Sequence, residues 1–135
     1  MGVSQLAFRL LGERMKIQGQ QLLMLTTIGA KTGQQRRSIV ARFPDRDHPG
    51  VWLVIGSNSG AAGHPSWCYN LRKNPDRAWI TIGGKTLKVR AESLEGAERD
   101  EAWRRVVSAA PGFARYETTT DRVIPIIRLT PETAA

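Results

Sequence analysis

Hydrophobic positions along the chain change period several times, and each change marks an element. Over residues 3–17, Val3, Leu6, Ala7, Leu10, Leu11 and Met15 recur at helical spacing, with Arg9, Glu13, Arg14 and Lys16 on other faces. This predicts an amphipathic helix ended by Gly19. Its apolar stripe suits packing on the rest of the chain or on a partner subunit, and a membrane interface is the alternative. Residues 22–28 are mostly apolar. Over residues 37–43, Ile39, Ala41 and Phe43 alternate with Ser38, Val40 and Arg42, the period of a strand. The two segments join through residues 29–33 as an antiparallel hairpin. Residues 44–50, rich in Asp, Pro and Gly, form a surface turn that leaves His48 exposed. Residues 51–55 read as a third strand, buried on both faces.

Residues 56–63 are too small to pack a core. They form either a loose loop or a stretch of backbone on which something flat can lie. Pro65 then opens a short helix that carries Trp67 and Leu71 on one face and stops at Pro75. Trp67 reads as a core anchor. Residues 78–82 and 86–91 pair through the Gly83-Gly84 turn. A helix from Gly96 has Glu98, Asp100 and Glu101 near its start and Arg104 and Arg105 near its end, matching the helix dipole. Trp103, Val106, Val107 and Ala110 give its buried stripe, and Pro111-Gly112 breaks it. Phe113, Tyr116 and Thr119 continue on a further helical turn, and residues 123–129 supply a last strand in which Pro125 marks an edge or bulge. Six mainly antiparallel strands with flanking helices make an α+β fold, a small barrel without the alternating βαβ units of a Rossmann site. The expected organisation is an N-terminal helix over residues 1–19, one barrel domain over 20–131 and a tail over 132–135.

Twenty Lys and Arg against twelve Asp and Glu give a net charge of +8. That balance favours an anionic partner: nucleic acid, a membrane surface or a phosphorylated small molecule. Part of the charge collects at the 29–33 turn, where Lys31, Arg36 and Arg37 are placed to grip phosphate oxygens. An ordinary solvated hairpin is the other reading of the same residues. The free amides that open the helix after Pro65 add a second anion-favouring feature. The single Cys68 excludes an intramolecular disulfide and suits a reducing cytoplasm, and with only two histidines beside it no metal site is expected. No run approaches the roughly 20 apolar residues needed to span a bilayer, and no signal peptide is evident. A nucleic-acid-binding barrel is disfavoured, because the four Trp and two Tyr fall mostly at core-like positions and not on a strand face interleaved with Lys and Arg.

Several blocks in this order resemble the deazaflavin-dependent nitroreductase family over residues 20–131. They are Leu25-Thr26-Thr27-Ile28-Gly29-Ala30-Lys31-Thr32-Gly33-Gln34-Gln35-Arg36, then Ser57-Asn58-Ser59-Gly60, then His64-Pro65-Ser66-Trp67-Cys68-Tyr69-Asn70-Leu71 and Asn74-Pro75, then Pro111-Gly112-Phe113, then Thr120-Asp121-Arg122-Val123-Ile124-Pro125. The resemblance implies a split β-barrel that binds coenzyme F420 and passes hydride to a quinone, enone or nitroaromatic. It is similar in fold to flavin mononucleotide (FMN) and pyridoxamine phosphate oxidases, which makes FMN the competing cofactor.

By the same resemblance, Lys31 and Arg36 stand where the family grips phosphate, with Thr32 and Gly33 as the backbone that approaches the cofactor; Arg37 is added on charge alone. Ser57, Asn58, Ser59, Gly60 and Ala61 correspond to the loop along the deazaflavin ring, and His64, Pro65, Trp67 and Asn70 to the passage from that loop into its helix. Asn58 replaces a lysine found in some relatives, so Arg37 or Arg72 is expected to supply that charge. Phe113, Tyr116 and Thr119 fall on the substrate side, with Tyr116 the candidate for placing the acceptor or donating a proton. Thr119, where relatives often carry an aromatic residue, predicts weak nitroimidazole turnover. The expected partners are a small-molecule hydride acceptor and a second copy in a homodimer, with no nucleic acid and at most weak attraction to anionic lipid. The expected location is cytoplasmic, with attachment at the inner membrane face as the alternative.

Overall fold

A computed structural model describes residues 16, 17 and 19–132. The expected helix over residues 3–17 lies almost wholly outside the described residues, as does most of the expected tail. Lys16–Ile17 are a correction to that helix. They form a short strand, β1, because Gly19 adopts a left-handed φ of 79° and turns the chain back, pairing Lys16 with Gln21 and Ile17 with Gln20.

Seven further strands follow: β2 (Gln20–Ile28), β3 (Gln35–Ala41), β4 (Phe43–Pro44), β5 (Trp52–Ile55), β6 (Ala78–Ile82), β7 (Lys85–Ser93) and β8 (Ile126–Pro131). Three helices accompany them: α1 (Ser66–Lys73), α2 (Gly96–Ala109) and α3 (Ala114–Thr119). Every pairing is antiparallel, in the order β1-β2-β6-β7-β8-β5-β4 with β3 also on β2. The result is the α+β split barrel, its six longer strands being those expected. None of the described helices is long and apolar enough to cross a membrane.

Strand periodicity explains how one sheet feeds two cores. In β2, Leu22 faces one side while Leu23 and Leu25 face the other; in β5, Leu53 and Ile55 oppose Val54; in β8, Ile126 opposes Ile127 and Leu129. The first core is closed by α2 and the segment after it, through Trp103, Val106 and Phe113. The second is closed by α1, through Trp67, Cys68 and Leu71. The sheet therefore holds α1 on one core and α2–α3 on the other.

Two expectations of strand geometry are corrected. The last strand begins at Ile126 and not at Val123, so Pro125 precedes it; the Pro125 carbonyl accepts from Gly56 N at 2.9 Å. Residues 37–43, expected as one strand, break at Arg42, which is buried. Its backbone departs between β3 and β4 and bonds to Gln21 O at 2.8 Å, while its guanidinium donates to Leu22 O at 2.6 Å and to Gln21 Oε1 at 2.9 Å.

Candidate active site

The Gly29–Gly33 turn is tied down at both ends. Gly29 N donates to Gln34 O at 2.7 Å and Gly33 N to Gly29 O at 2.9 Å. Gly33 has a left-handed φ of 72°, so the turn needs glycine there. Across it, β2 and β3 pair Thr26 with Arg37 and Thr27 with Arg36. Asn70, in the middle of α1, secures the turn from the side. Its Oδ1 accepts from Ala30 N at 2.9 Å and its Nδ2 donates to the buried Thr27 Oγ1 at 3.0 Å. Lys73 donates to Ala30 O at 2.8 Å.

This arrangement opens a groove of about 660 Å³ between the turn and α1, lined in part by Lys31, Thr32, Arg36, Arg37, Trp67 and Asn70. Among the described residues, no carboxylate lines it. Among the described residues, none of the three cations has a carboxylate partner within 4.0 Å. Ser66 and Tyr69 also line the groove, which places the start of α1 at its edge. Uncompensated cations, free helix amides and aromatic walls form a donor set that fits a phosphorylated aromatic ligand with an acidic tail. Arg37 lines the same groove as Lys31 and Arg36. Arg72 instead lines a separate cavity of about 300 Å³, together with His64, Cys68, Tyr69, Glu95 and Pro125.

The other expected cofactor residues form a second locus. Ser57 and Gly60 are buried; Asn58, at φ 48°, donates its Nδ2 to Gly63 O at 3.0 Å; Gly60 N returns to Ser57 O at 2.8 Å and Ala61 N to Asn58 O at 3.0 Å. Ser59 lies in the same turn, and Pro65 stands immediately before α1. The loop packs under α3, where Thr119 Oγ1 donates to Gly60 O at 3.1 Å. A methyl on Gly60 would meet Thr119 Oγ1 at 2.2 Å and Tyr116 Cδ1 at 3.2 Å, and Gly60 has φ +81°. Gly60→Ala is therefore expected to destabilise the fold by about 1–3 kcal/mol. Gly63→Ala, whose added methyl meets nothing within 4 Å, should leave the melting temperature close to that of the parent. Equal melting temperatures for the two variants would contradict this packing.

The three substrate-side candidates separate by depth. Phe113 is a core residue, 5% exposed and stacked edge-on against Phe43 at 5.6 Å. Tyr116 is half-buried and rests edge-on against Phe113 at 5.3 Å. Thr119 has its hydroxyl engaged by the loop. The spacing of three was legible as one helix face, along which Phe113 is buried, Tyr116 is half-buried and Thr119 is exposed. Trp103 Nε1 donates to Glu117 Oε1 and fixes α3 on α2.

Cys68 is buried, and burial pushes its thiol up to about 12 against the opposing charge of Arg122, which disfavours the nucleophilic thiolate. His64 is held below the ordinary imidazole value, first by burial and then by the charges of Arg122 and Arg72, so it is neutral at pH 7. His48, expected to be idle, bonds through Nδ1 to Asp45 Oδ2 at 3.2 Å and remains largely exposed.

Sequence reasoning assigned no role to Asn70 and Lys73 as braces of the turn, or to Arg122. The only sequence signal for the first two was their spacing of three on a helix whose other face is apolar.

Comparison with known proteins gives a consistent picture. The family model described as F420H(2)-dependent quinone reductase matches residues 8–131. Rv3178 of Mycobacterium tuberculosis, named for F420H(2)-dependent quinone reduction, is 34% identical over 109 residues, 81% of this chain and 88% of that protein. A solved structure described as an F420-H2 dependent reductase (FDR-A) superposes with a TM-score of 0.69 at 36% identity, covering 80% of this chain and 92% of its own. Another, described as a domain-swapped dimer, gives a TM-score of 0.69 at 36% identity over 80% of this chain and 78% of its own.

Proposed function

Because this chain belongs to the F420H(2)-dependent quinone reductase family, and so is an oxidoreductase that uses coenzyme F420, we propose that it reduces a quinone by hydride transfer, with conjugated enones and nitroaromatics as further acceptor classes. The observation that carries this reading is the groove beside α1, lined by Lys31, Arg36 and Arg37 and, among the described residues, by no carboxylate. When bound, the reduced deazaflavin supplies a two-electron hydride donor. The protein's own part is to bind, orient and shield. Lys31, Arg36 and Arg37 take the phosphate and acidic tail, and Thr32 and Gly33 bring backbone close. Ser57, Asn58, Ser59, Gly60 and Ala61 form the bed for the ring, with His64 and Pro65 at its far end. Trp67 supplies an apolar wall of the groove, while Asn70 keeps the turn in shape.

Tyr116 positions the acceptor and supplies a proton to its reduced oxygen. Phe113 supports Tyr116 from below, and Thr119 holds the loop against α3. With Thr119 in place of an aromatic side chain, nitroimidazole turnover is expected to be weak. The test is anaerobic turnover of a soluble quinone by reduced coenzyme F420, followed as the oxidised deazaflavin absorbance returns. Tyr116→Phe should lower turnover about 10²-fold or more while cofactor affinity stays within about twofold, the pattern of a group acting only on the acceptor. Equal losses of turnover and cofactor binding would place Tyr116 in the cofactor site, and absence of quinone turnover by a protein that binds the cofactor would overturn the quinone assignment.

A homodimer is part of the same proposal, supported by the neighbour described as a domain-swapped dimer. Sedimentation at the mass of one chain across micromolar concentrations would refute it.

A further inference from the structure

Arg122 lies in the segment between α3 and β8, within the Thr120–Pro125 block that carries the resemblance and without a role assigned from sequence. Its guanidinium has no carboxylate partner among the described residues. It is spent instead on backbone. Nε donates to Ala61 O at 3.1 Å, Nη1 to Gly56 O at 2.9 Å and Nη2 to Ser57 O at 2.8 Å. Nη1 also lies 2.7 Å from His64 Nδ1. Three carbonyls and one imidazole, from both ends of the 56–64 loop, thus converge on one planar fork.

A guanidinium carries five donors in fixed geometry and no acceptor. The contact with His64 therefore has one sense: Nδ1 accepts, and the ring proton must sit on Nε2. The fork is itself held. Arg99 of α2 donates to Ile124 O at 2.8 Å, two residues from Arg122, and its guanidinium stacks over Trp103 at 5.1 Å. Arg122 N donates to Thr120 Oγ1 at 3.3 Å.

We propose that Arg122 is a positioning residue that builds the 56–64 loop before any ligand arrives and fixes His64 as a neutral imidazole with its proton on Nε2. Two consequences follow. The carbonyls of Gly56, Ser57 and Ala61 point toward Arg122 and are thereby withdrawn from any ligand on its other side. His64, which lines the 300 Å³ cavity with Arg72, can act there only as a hydrogen-bond donor, so both groups favour a ligand oxygen such as a carbonyl or carboxylate. The titratable and charged groups facing His64 are Arg122 from the 120–125 segment and Arg72 from α1. Cys68, Tyr69 and Glu95 line the same cavity. The effect of the loop on cofactor binding rests on the function proposed above; the hold on His64 does not.

The test uses the full chain without cofactor. It has only two histidines, His48 and His64, and His64→Gln assigns their signals in long-range ¹H–¹⁵N spectra. The parent should show His64 as a single neutral form with its proton on Nε2 near pH 7. Arg122→Gln should mix the two neutral forms and raise the His64 titration midpoint, because one of the charges that hold it down is gone. Arg122→Lys keeps a charge but cannot span three carbonyls, so it should keep a lowered midpoint while losing the single form; it also serves as the folded comparison if the glutamine variant does not fold. A merely structural role would lower the melting temperature and leave the His64 spectrum unchanged in both variants, which would overturn the proposal. Coenzyme F420 affinity should fall about tenfold in Arg122→Lys, the cost of ordering the loop on binding. If the parent fails to bind the cofactor while His64 behaves as described, the function proposal fails and the role of Arg122 stands.

Discussion

Arg128→Met should lower the stability of the fold by about 3 kcal/mol, roughly 10 °C in melting temperature for a domain of this size. From the middle of β8, Arg128 Nε bonds Asp45 Oδ2 at 2.8 Å, Nη1 bonds Glu92 Oε1 at 2.9 Å and Nη2 bonds Glu98 Oε2 at 3.0 Å. One guanidinium thereby joins the turn after β4, the strand β7 and the helix α2. Glu92 and Glu98 are mostly exposed and would return to water at little cost. The loss comes from Asp45, whose side chain is only 5% exposed and would be left buried without its cation.

Acid supplies an internal check on that account. Burial pushes the Asp45 carboxyl up, but the bond to Arg128, the Asp47 amide, the Arg128 charge and His48 together outweigh it and hold the group below its ordinary value of 3.8. Its contribution is therefore complete above that value and is lost as pH falls through the lower folded value. Arg128→Met lacks this contribution, so the stability gap between parent and variant should close as urea titrations move to more acidic pH, and Asp45→Asn in the Arg128→Met background should recover part of the loss at neutral pH. A gap that stays constant with pH would mean that Arg128 acts through packing alone.

Lys31→Ala and Arg36→Ala should each weaken binding of coenzyme F420 by about 1.5–3 kcal/mol, or roughly ten- to 150-fold in Kd. Both side chains are exposed at the groove, so melting temperatures should not move. The two losses should not add when combined, since the residues face one ligand. They should also shrink as salt rises, because exposed charges are screened. A melting temperature that falls while affinity is unchanged would make the turn a structural device and put the clamp elsewhere.

The sequence carried the parts of this fold that depend on local chemistry. Gly29, Gly33 and Gly83-Gly84 announced turns because those backbones need glycine, and the alternation after Arg37 and the prolines around residues 66–74 bounded a strand and a helix. The groove was half legible, since Lys31, Arg36 and Arg37 cluster in sequence, whereas its other wall comes from a helix some forty residues later, as the Ala30–Asn70 contact shows. Contacts between a side chain and distant carbonyls were not legible at all. Arg122 reaches partners 58 to 66 residues away, three of them carbonyls that every residue type possesses. Ile39, Ala41 and Phe43 share one core, as the alternation requires, but the burial of Arg42 on the opposite face was not legible, because its partners are the Leu22 carbonyl and Gln21 some twenty residues earlier. Helical spacing put Phe113, Tyr116 and Thr119 on one face without saying what that face meets: Phe113 packs on Phe43, and Thr119 bonds the Gly60 carbonyl.

A groove lined by Lys31, Arg36 and Arg37 should favour coenzyme F420, whose phosphate and acidic tail need more positive charge than the single phosphate of FMN. Side-by-side equilibrium titration of the full chain with coenzyme F420 and with FMN, read by quenching of tryptophan fluorescence, tests it most directly, since Trp67 lines the groove. The account predicts tighter binding of coenzyme F420, with an advantage that narrows as salt is raised; FMN binding as tightly or more tightly would contradict it.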